Sequence, residues 1–87
     1  PKDEKLIKQY INIAFSAFNW DEVINGINRA NRNGIEDDGK HALMIGIAFF
    51  EKKNLKKAEA SFIDASKSKK YADQGKAWLE YLNALNG

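Results

Sequence analysis

The side chains able to do chemistry are few, and their spacing argues against catalysis. His41 is the only histidine. A general base needs a proton partner within hydrogen-bond reach, and a metal site needs several ligands. One imidazole near the start of a helix therefore reads as a solvent-facing or capping residue. Glu36, Asp37 and Asp38 are three acids in a row. A calcium loop of the EF-hand kind sets its carboxylates on alternate positions with a glutamate further on, and this run has neither feature. Its expected role is local, with Asp37 or Asp38 capping a helix that begins near Gly39. There is no cysteine, which removes disulfides, thiolate metal sites and thiol nucleophiles but selects no compartment. No glycine-rich phosphate loop follows a strand, and no nucleophile pairs with the single histidine. The chain is expected not to be an enzyme and to hold no metal and no cofactor.

The cations suggest a second kind of chemistry, contact with phosphate. Lys52, Lys53, Lys56, Lys57, Lys67, Lys69 and Lys70 crowd one part of the chain, and Arg29 and Arg32 sit at a helix end. A nucleic-acid surface needs a basic strip interleaved with aromatic rings, whereas acids interleave here. Lysines near helix C-termini already complement the helix dipole. No nucleic-acid partner is expected. Net charge is +2 overall, and it is uneven. Residues 1–38 carry five Lys/Arg against seven Asp/Glu, and residues 39–87 carry nine against five. Solvated helix faces account for most of this polarity, which would also suit head-to-tail ordering of repeats. The longest apolar run, residues 42–50, is half of the roughly 18 residues a membrane-spanning helix needs, so no membrane insertion is expected. The chain opens at Pro1 without a signal-peptide pattern, as expected of a domain excised from a longer protein or a processed fragment.

Those side chains must be positioned by helices, because no strand signal occurs anywhere. Pro1 and the acids after it suit a helix start. Leu6, Ile7, Tyr10, Ile11, Ile13, Ala14, Phe15, Ala17 and Phe18 then give a helix with one broad apolar face through the series 7, 10, 11, 14, 18. Asn19 ends it and caps a second helix, whose apolar face is Trp20, Val23, Ile24, Ile27 and Ala30. Gly34 is the expected left-handed residue after it. A third helix is apolar on most sides through Ala42, Leu43, Ile45, Gly46, Ala48, Phe49 and Phe50, so more than one neighbour must bury it. Lys52, Lys53 and Asn54 make a break short enough to force an antiparallel pair. The fourth helix carries Leu55, Ala58, Phe62 and Ala65, and Gly46 is expected to serve close packing. After a polar turn, Trp78, Tyr81, Leu82 and Leu85 line one face of a fifth helix, with Asp73, Gln74, Lys76, Glu80 and Asn83 outside.

The first pair superposes on the second with a shift of 35 residues. Asn19 falls on Asn54, Val23 on Ala58, Ile27 on Phe62 and Ala30 on Ala65. The run Gly46, Ala48, Phe49, Phe50, Asn54, Leu55, Ala58, Phe62 and Ala65 resembles a tetratricopeptide repeat (TPR). The chain departs from that family at Ala42, Lys53 and Lys70, where Trp, Gly and Pro are common. The resemblance is carried by residues 39–72 and is degenerate elsewhere. It implies an all-α single domain over residues 1–87: repeats at 4–38 and 39–72 and a capping helix at 73–87, five helices in a right-handed α–α superhelix. It further implies a concave groove lined by the first helix of each repeat. The matching positions include Lys8, Asn12 and Phe15 in the first repeat and Leu43, Ile47 and Phe50 in the second. The stripe Leu43, Ile47, Phe50 is either an exposed apolar patch or a surface covered by the last helix through Trp78 and Leu82. Lys8 and Asn12 match two positions of the carboxylate clamp of some TPR domains, but Met44, Gln74 and Trp78 stand at the others, so no clamp is expected.

A finer resemblance lies in Trp20, the loop from Gly34 to Gly39, His41, Ala42, Leu43, Gly46, Ala77, Trp78, Leu79 and Tyr81. These are similar to the C-terminal repeats of bacterial periplasmic TPR proteins that accompany TonB-type systems, which implies a periplasmic location and a partner in such a transport complex. The function implied is a non-catalytic protein–protein interaction module that binds a peptide or helix. The alternative is the terminal or self-associating segment of a longer solenoid, favoured because two repeats and a cap are near the minimum for stability.

Overall fold

The computed structural model describes residues 3–86. The described residues form five α-helices and no strand: α1 (Glu4–Ser16), α2 (Trp20–Arg32), α3 (Lys40–Glu51), α4 (Leu55–Ser66) and α5 (Ala72–Asn86). The fold is all-α. The chain falls into two compact units, Pro1–Glu36 and Asp37–Gly87. The helix-start role expected of Pro1, and the last residue of the capping helix expected at 73–87, lie outside the described residues.

In the first unit α1 packs against α2. Ile7, Ile11 and Ala14 are the buried residues of α1. They meet the apolar face of α2, where Val23, Gly26, Ile27 and Ala30 are buried. The expected broad apolar face on α1 needs correction. The helix ends at Ser16, two residues before Phe18. Leu6, Ile13 and Phe18 are 58%, 69% and 72% exposed. One partner helix covers only a stripe about 100° wide, and these residues lie outside it. Gly26 is where the helices come closest. A Cβ there would stand 2.8 Å from Ile11 Cγ1.

The second unit adds a third helix to the same hairpin plan: α3 packs on α4, and α4 on α5. Phe62 on α4 is fully buried at its centre, with Ala58 and Leu82. Gly46 opens the space for it, since a Cβ at Gly46 would fall 2.6 Å from Phe62 Cε1. The close-packing role expected of Gly46 is what the structure shows. On the other side Trp78 stacks on the Phe62 ring, with centroids 5.0 Å apart and planes 10° apart. α5 reaches this position because Gly75 lets it touch α4 backbone to backbone. A Cβ on Gly75 would meet Ser66 N at 2.6 Å and the Phe62 carbonyl oxygen at 2.9 Å. The buried side of α5 is thus Gly75 and Leu82, with Trp78 and Leu79 half-buried beside them. Tyr81 and Leu85, expected on the inner face, are about half exposed.

Local hydrogen bonds repeat between the two hairpins at a spacing of 35 residues. In the first turn Ala17 N donates to Ile13 O, Phe18 N to Phe15 O and Asn19 N to Ala14 O. In the second, Lys52 N donates to Ala48 O, Lys53 N to Phe50 O and Asn54 N to Phe49 O. Phe18 and Lys53 both take a left-handed backbone, with φ of 57° and 67°. Asn19 and Asn54 then cap α2 and α4, their side-chain oxygens accepting from Glu22 N and Lys57 N. These bonds satisfy N–H groups that the first helical turn leaves without a partner. Gly34 follows α2 with φ 69°, as its sequence position suggests.

Candidate binding site

The six residues singled out from the sequence fall three in each unit, and the shift of 35 residues relates them: Lys8 to Leu43, Asn12 to Ile47, Phe15 to Phe50. In the first unit Asn12 is exposed, and Lys8 and Phe15 are half-buried. Lys8 Nζ lies 3.1 Å from Glu4 Oε2, one turn back along α1. An exposed pair of this kind contributes a few tenths of a kcal/mol and leaves the ammonium free to exchange partners. The Phe15 ring stands edge-on to Trp20, with centroids 5.5 Å apart. This face of α1 is thus a cation, an amide and an aromatic edge in sequence.

In the second unit Leu43, Ile47 and Phe50 are half-buried and pack against the cluster of Ala58, Phe62 and Leu82. Phe50 is engaged by α5 as well, its ring centroid 5.2 Å from that of Trp78 and 5.7 Å from that of Tyr81. Of the two readings left open for this stripe, coverage through Trp78 and Leu82 accounts for its inner side. The outer side keeps access to solvent. Phe50, Phe62, Trp78 and Tyr81 form a connected aromatic group whose geometry, mostly edge-to-face, is that of packing. Only the approach of α5 to α4 through Gly75 brings these rings together, and no spacing within α3 reports it.

His41 requires a correction. It is 7% exposed, not solvent-facing. Its Nδ1 lies 3.5 Å from Asp37 Oδ2. The backbone N–H of His41 donates to the same carboxylate, so Asp37 caps α3 as expected. The position preceding the helix is Gly39, with φ 102°. A Cβ on Gly39 would run into the Ser68 side chain at 2.4 Å. Ser68 in turn accepts from Tyr71 N at 3.0 Å and donates to Ala65 O at 2.7 Å, which joins the start of α3 to the turn before α5. Asp38 completes this junction, with Lys70 Nζ 3.3 Å from its Oδ2. Partial desolvation pushes the Asp38 carboxyl up, but the hydrogen bond from Lys70 and those from backbone N–H groups outweigh it and hold the group below its ordinary value. The bond to Asp38 likewise raises Lys70.

Among the described residues no group of three or more His, Asp or Glu is placed to hold a metal ion. No described helix is long and apolar enough to cross a membrane. No family model matches the chain, and neither does any curated protein or any solved structure.

Proposed function

We propose that the chain is a non-catalytic interaction module that binds a peptide or a helix of a partner protein. One observation carries this reading. Lys8, Asn12 and Phe15 on α1, and the equivalent Leu43, Ile47 and Phe50 on α3, all keep some solvent access, although Phe15, Leu43, Ile47 and Phe50 also take part in packing. The resemblance to tetratricopeptide repeats assigns the same row of positions to a partner. The two rows differ in chemistry: the first offers a cation and an amide for polar anchoring, the second offers apolar area.

Affinity capture from the source-cell extract tests this, with wild type beside Lys8→Glu/Asn12→Arg. Both residues sit on the open side of α1, so the double variant keeps its helical content. A protein retained by wild type and lost with the variant supports the reading. Identical recovery, or none, sinks it. Ile47→Asp is a weaker probe, because Ile47 also packs against the Ala58–Phe62–Leu82 cluster.

A second reading is favoured by the apolar residues left open on the first and last helices: Leu6 and Ile13 on α1, Tyr81 and Leu85 on α5. It makes the chain the end of a longer helical array or a self-associating unit, in the setting of a periplasmic TonB-type transport system if the finer resemblance holds. A monomer in sedimentation equilibrium at high concentration counts against self-association.

A further inference from the structure

The first unit holds a cleft of about 860 Å³ on a side of α1 that the row Lys8, Asn12, Phe15 does not use. At 100° per residue, Leu6, Tyr10 and Ile13 point roughly half a turn away from that row, with the buried Ile7, Ile11 and Ala14 between them. One wall of the cleft is apolar, formed on α1 by Leu6, Ile7 and Tyr10. Leu6 is 58% and Tyr10 45% exposed, and Ile13, at 69%, extends this row beyond the cleft. The other wall is polar and basic. Asn25, Arg29 and Arg32 recur along α2 at the i, i+4, i+7 spacing of one helix face. Gly26 lies between the walls, where its missing side chain lets α2 sit against Ile11.

The charges in this cleft are unbalanced. Asp3 is the one acid among its lining residues, against two guanidiniums. Neither Arg29 nor Arg32 forms an ion pair among the described residues. The nearby Glu22 carboxylate keeps its charge and accepts a hydrogen bond from the Tyr10 hydroxyl. That bond, with some desolvation, pushes the phenol's pKa above its ordinary value, and Tyr10 presents a neutral ring to the cleft. An apolar wall of about one helical turn, facing two guanidiniums one turn apart that form no ion pair among the described residues, suits one kind of occupant. We infer that the cleft between α1 and α2 docks an acidic amphipathic helix of a partner protein. Its apolar side chains lie on Leu6 and Tyr10, and carboxylates one turn apart pair with Arg29 and Arg32. This rests on the interaction-module reading and adds a face and a partner chemistry to it.

The probe is a synthetic 18-residue helix with leucines at i, i+3, i+4 and i+7 and glutamates along one flank. A second peptide carries lysine for each glutamate, and a third is a scramble. Binding to the full chain is read by fluorescence anisotropy at low and high salt. The acidic helix is expected to bind about tenfold or more tightly than either control, with affinity falling as salt rises. Arg29→Glu/Arg32→Glu should remove that preference, and Leu6→Asp should weaken binding from the apolar side. All three positions are exposed, and circular dichroism verifies that each variant keeps its helices. Lys76→Gln, at an exposed position of α5, should leave the affinity unchanged. Equal binding of the acidic and lysine helices overturns the proposal, as does binding that survives Arg29→Glu/Arg32→Glu. Acidic-helix binding lost instead with Lys8→Glu/Asn12→Arg overturns the cleft while the module reading stands. A dimer that dissociates in Arg29→Glu/Arg32→Glu and excludes the peptide overturns it in favour of a second copy. Displacement of the peptide by inorganic phosphate at equal concentration reduces the site to an anion site and overturns it too.

Discussion

The two units are built on one hairpin plan and differ in what fills it. Both have a three-residue break that ends in an asparagine cap and holds a left-handed residue, with the same hydrogen bonds 35 positions apart. In the second unit the large side chain, Phe62, stands on the second helix and the glycine that admits it, Gly46, on the first. In the first unit the order is reversed, with Ile11 on the first helix and Gly26 on the second. A hairpin needs one small-against-large contact to bring its helices close, and either helix can supply either half. The second unit contains a third helix. α5 lays Trp78 flat on Phe62 and closes the core from a third side. The first unit keeps an open cleft and an exposed apolar row along α1.

Removing the large partner breaks the comparison most strongly. Phe62→Ala should cost about 3–5 kcal/mol, because three helices hold the cavity open around the missing ring. Ile11→Ala should fall at the low end of about 2–5 kcal/mol, since a two-helix unit can collapse around it. Urea melts of the two variants measure the difference, and equal losses would mean that α5 adds no rigidity to the second core.

Filling the glycine sites sharpens the contrast. At Gly46 the added methyl meets a ring held between Gly46 and Trp78, so Gly46→Ala should destabilise by about 1–3 kcal/mol despite the better helix propensity of alanine. At Gly26 the neighbours are the Ile11 Cγ1 and the edge of a half-exposed Tyr10 ring, which can move. Gly26→Ala should therefore change stability by less than about 1 kcal/mol. The same sign and size in both would show that the two contacts are equally tight.

The caps should behave alike where the cores do not. Asn19→Ala and Asn54→Ala should each cost about 1 kcal/mol. In the turns, glycine relieves the left-handed strain carried by Phe18 and Lys53, so Phe18→Gly and Lys53→Gly should each stabilise by up to about 1 kcal/mol. The thermal midpoint measures all four, and opposite outcomes in the two hairpins would end their equivalence.

The smallest effect concerns the junction before α3. The Asp38 carboxyl is held down, so the stabilisation it provides is present above its unfolded-state pKa and is lost as pH falls through its lower folded-state value. Replacing Lys70 by methionine should move the Asp38 titration upward and narrow that window. A carboxyl-carbon NMR titration reads this directly, and an unmoved Asp38 would remove Lys70 as the cause.

Much of this architecture could be read from residue spacing. Asn19, Asn54, Gly34 and Asp37 act on backbone groups within four residues, so their roles follow from local geometry. Gly46 and Phe62 were legible because a glycine inside an apolar helix needs a reason, and the facing helix offered one large ring. The candidate site was less legible. Leu43, Ile47 and Phe50 form a stripe in sequence, but whether a stripe is a surface depends on what lies over it. Trp78 and Tyr81 lie over part of this one. Gly26 and the cleft beside it gave a weak signal, since asparagines and arginines on α2 read as an ordinary polar face.

The residues alone determined five helices, their caps and their pairing into hairpins, because helical periodicity and turn chemistry act over a few positions. Tertiary structure decided which sides remain open. Gly75 lets α5 rest on the α4 backbone, which turns Trp78 and Leu82 inward and leaves Leu85 outside. His41 is buried beside Asp37, where sequence position suggested solvent. Burial is a property of neighbours brought together from distant positions, and no short-range pattern within one helix contains it.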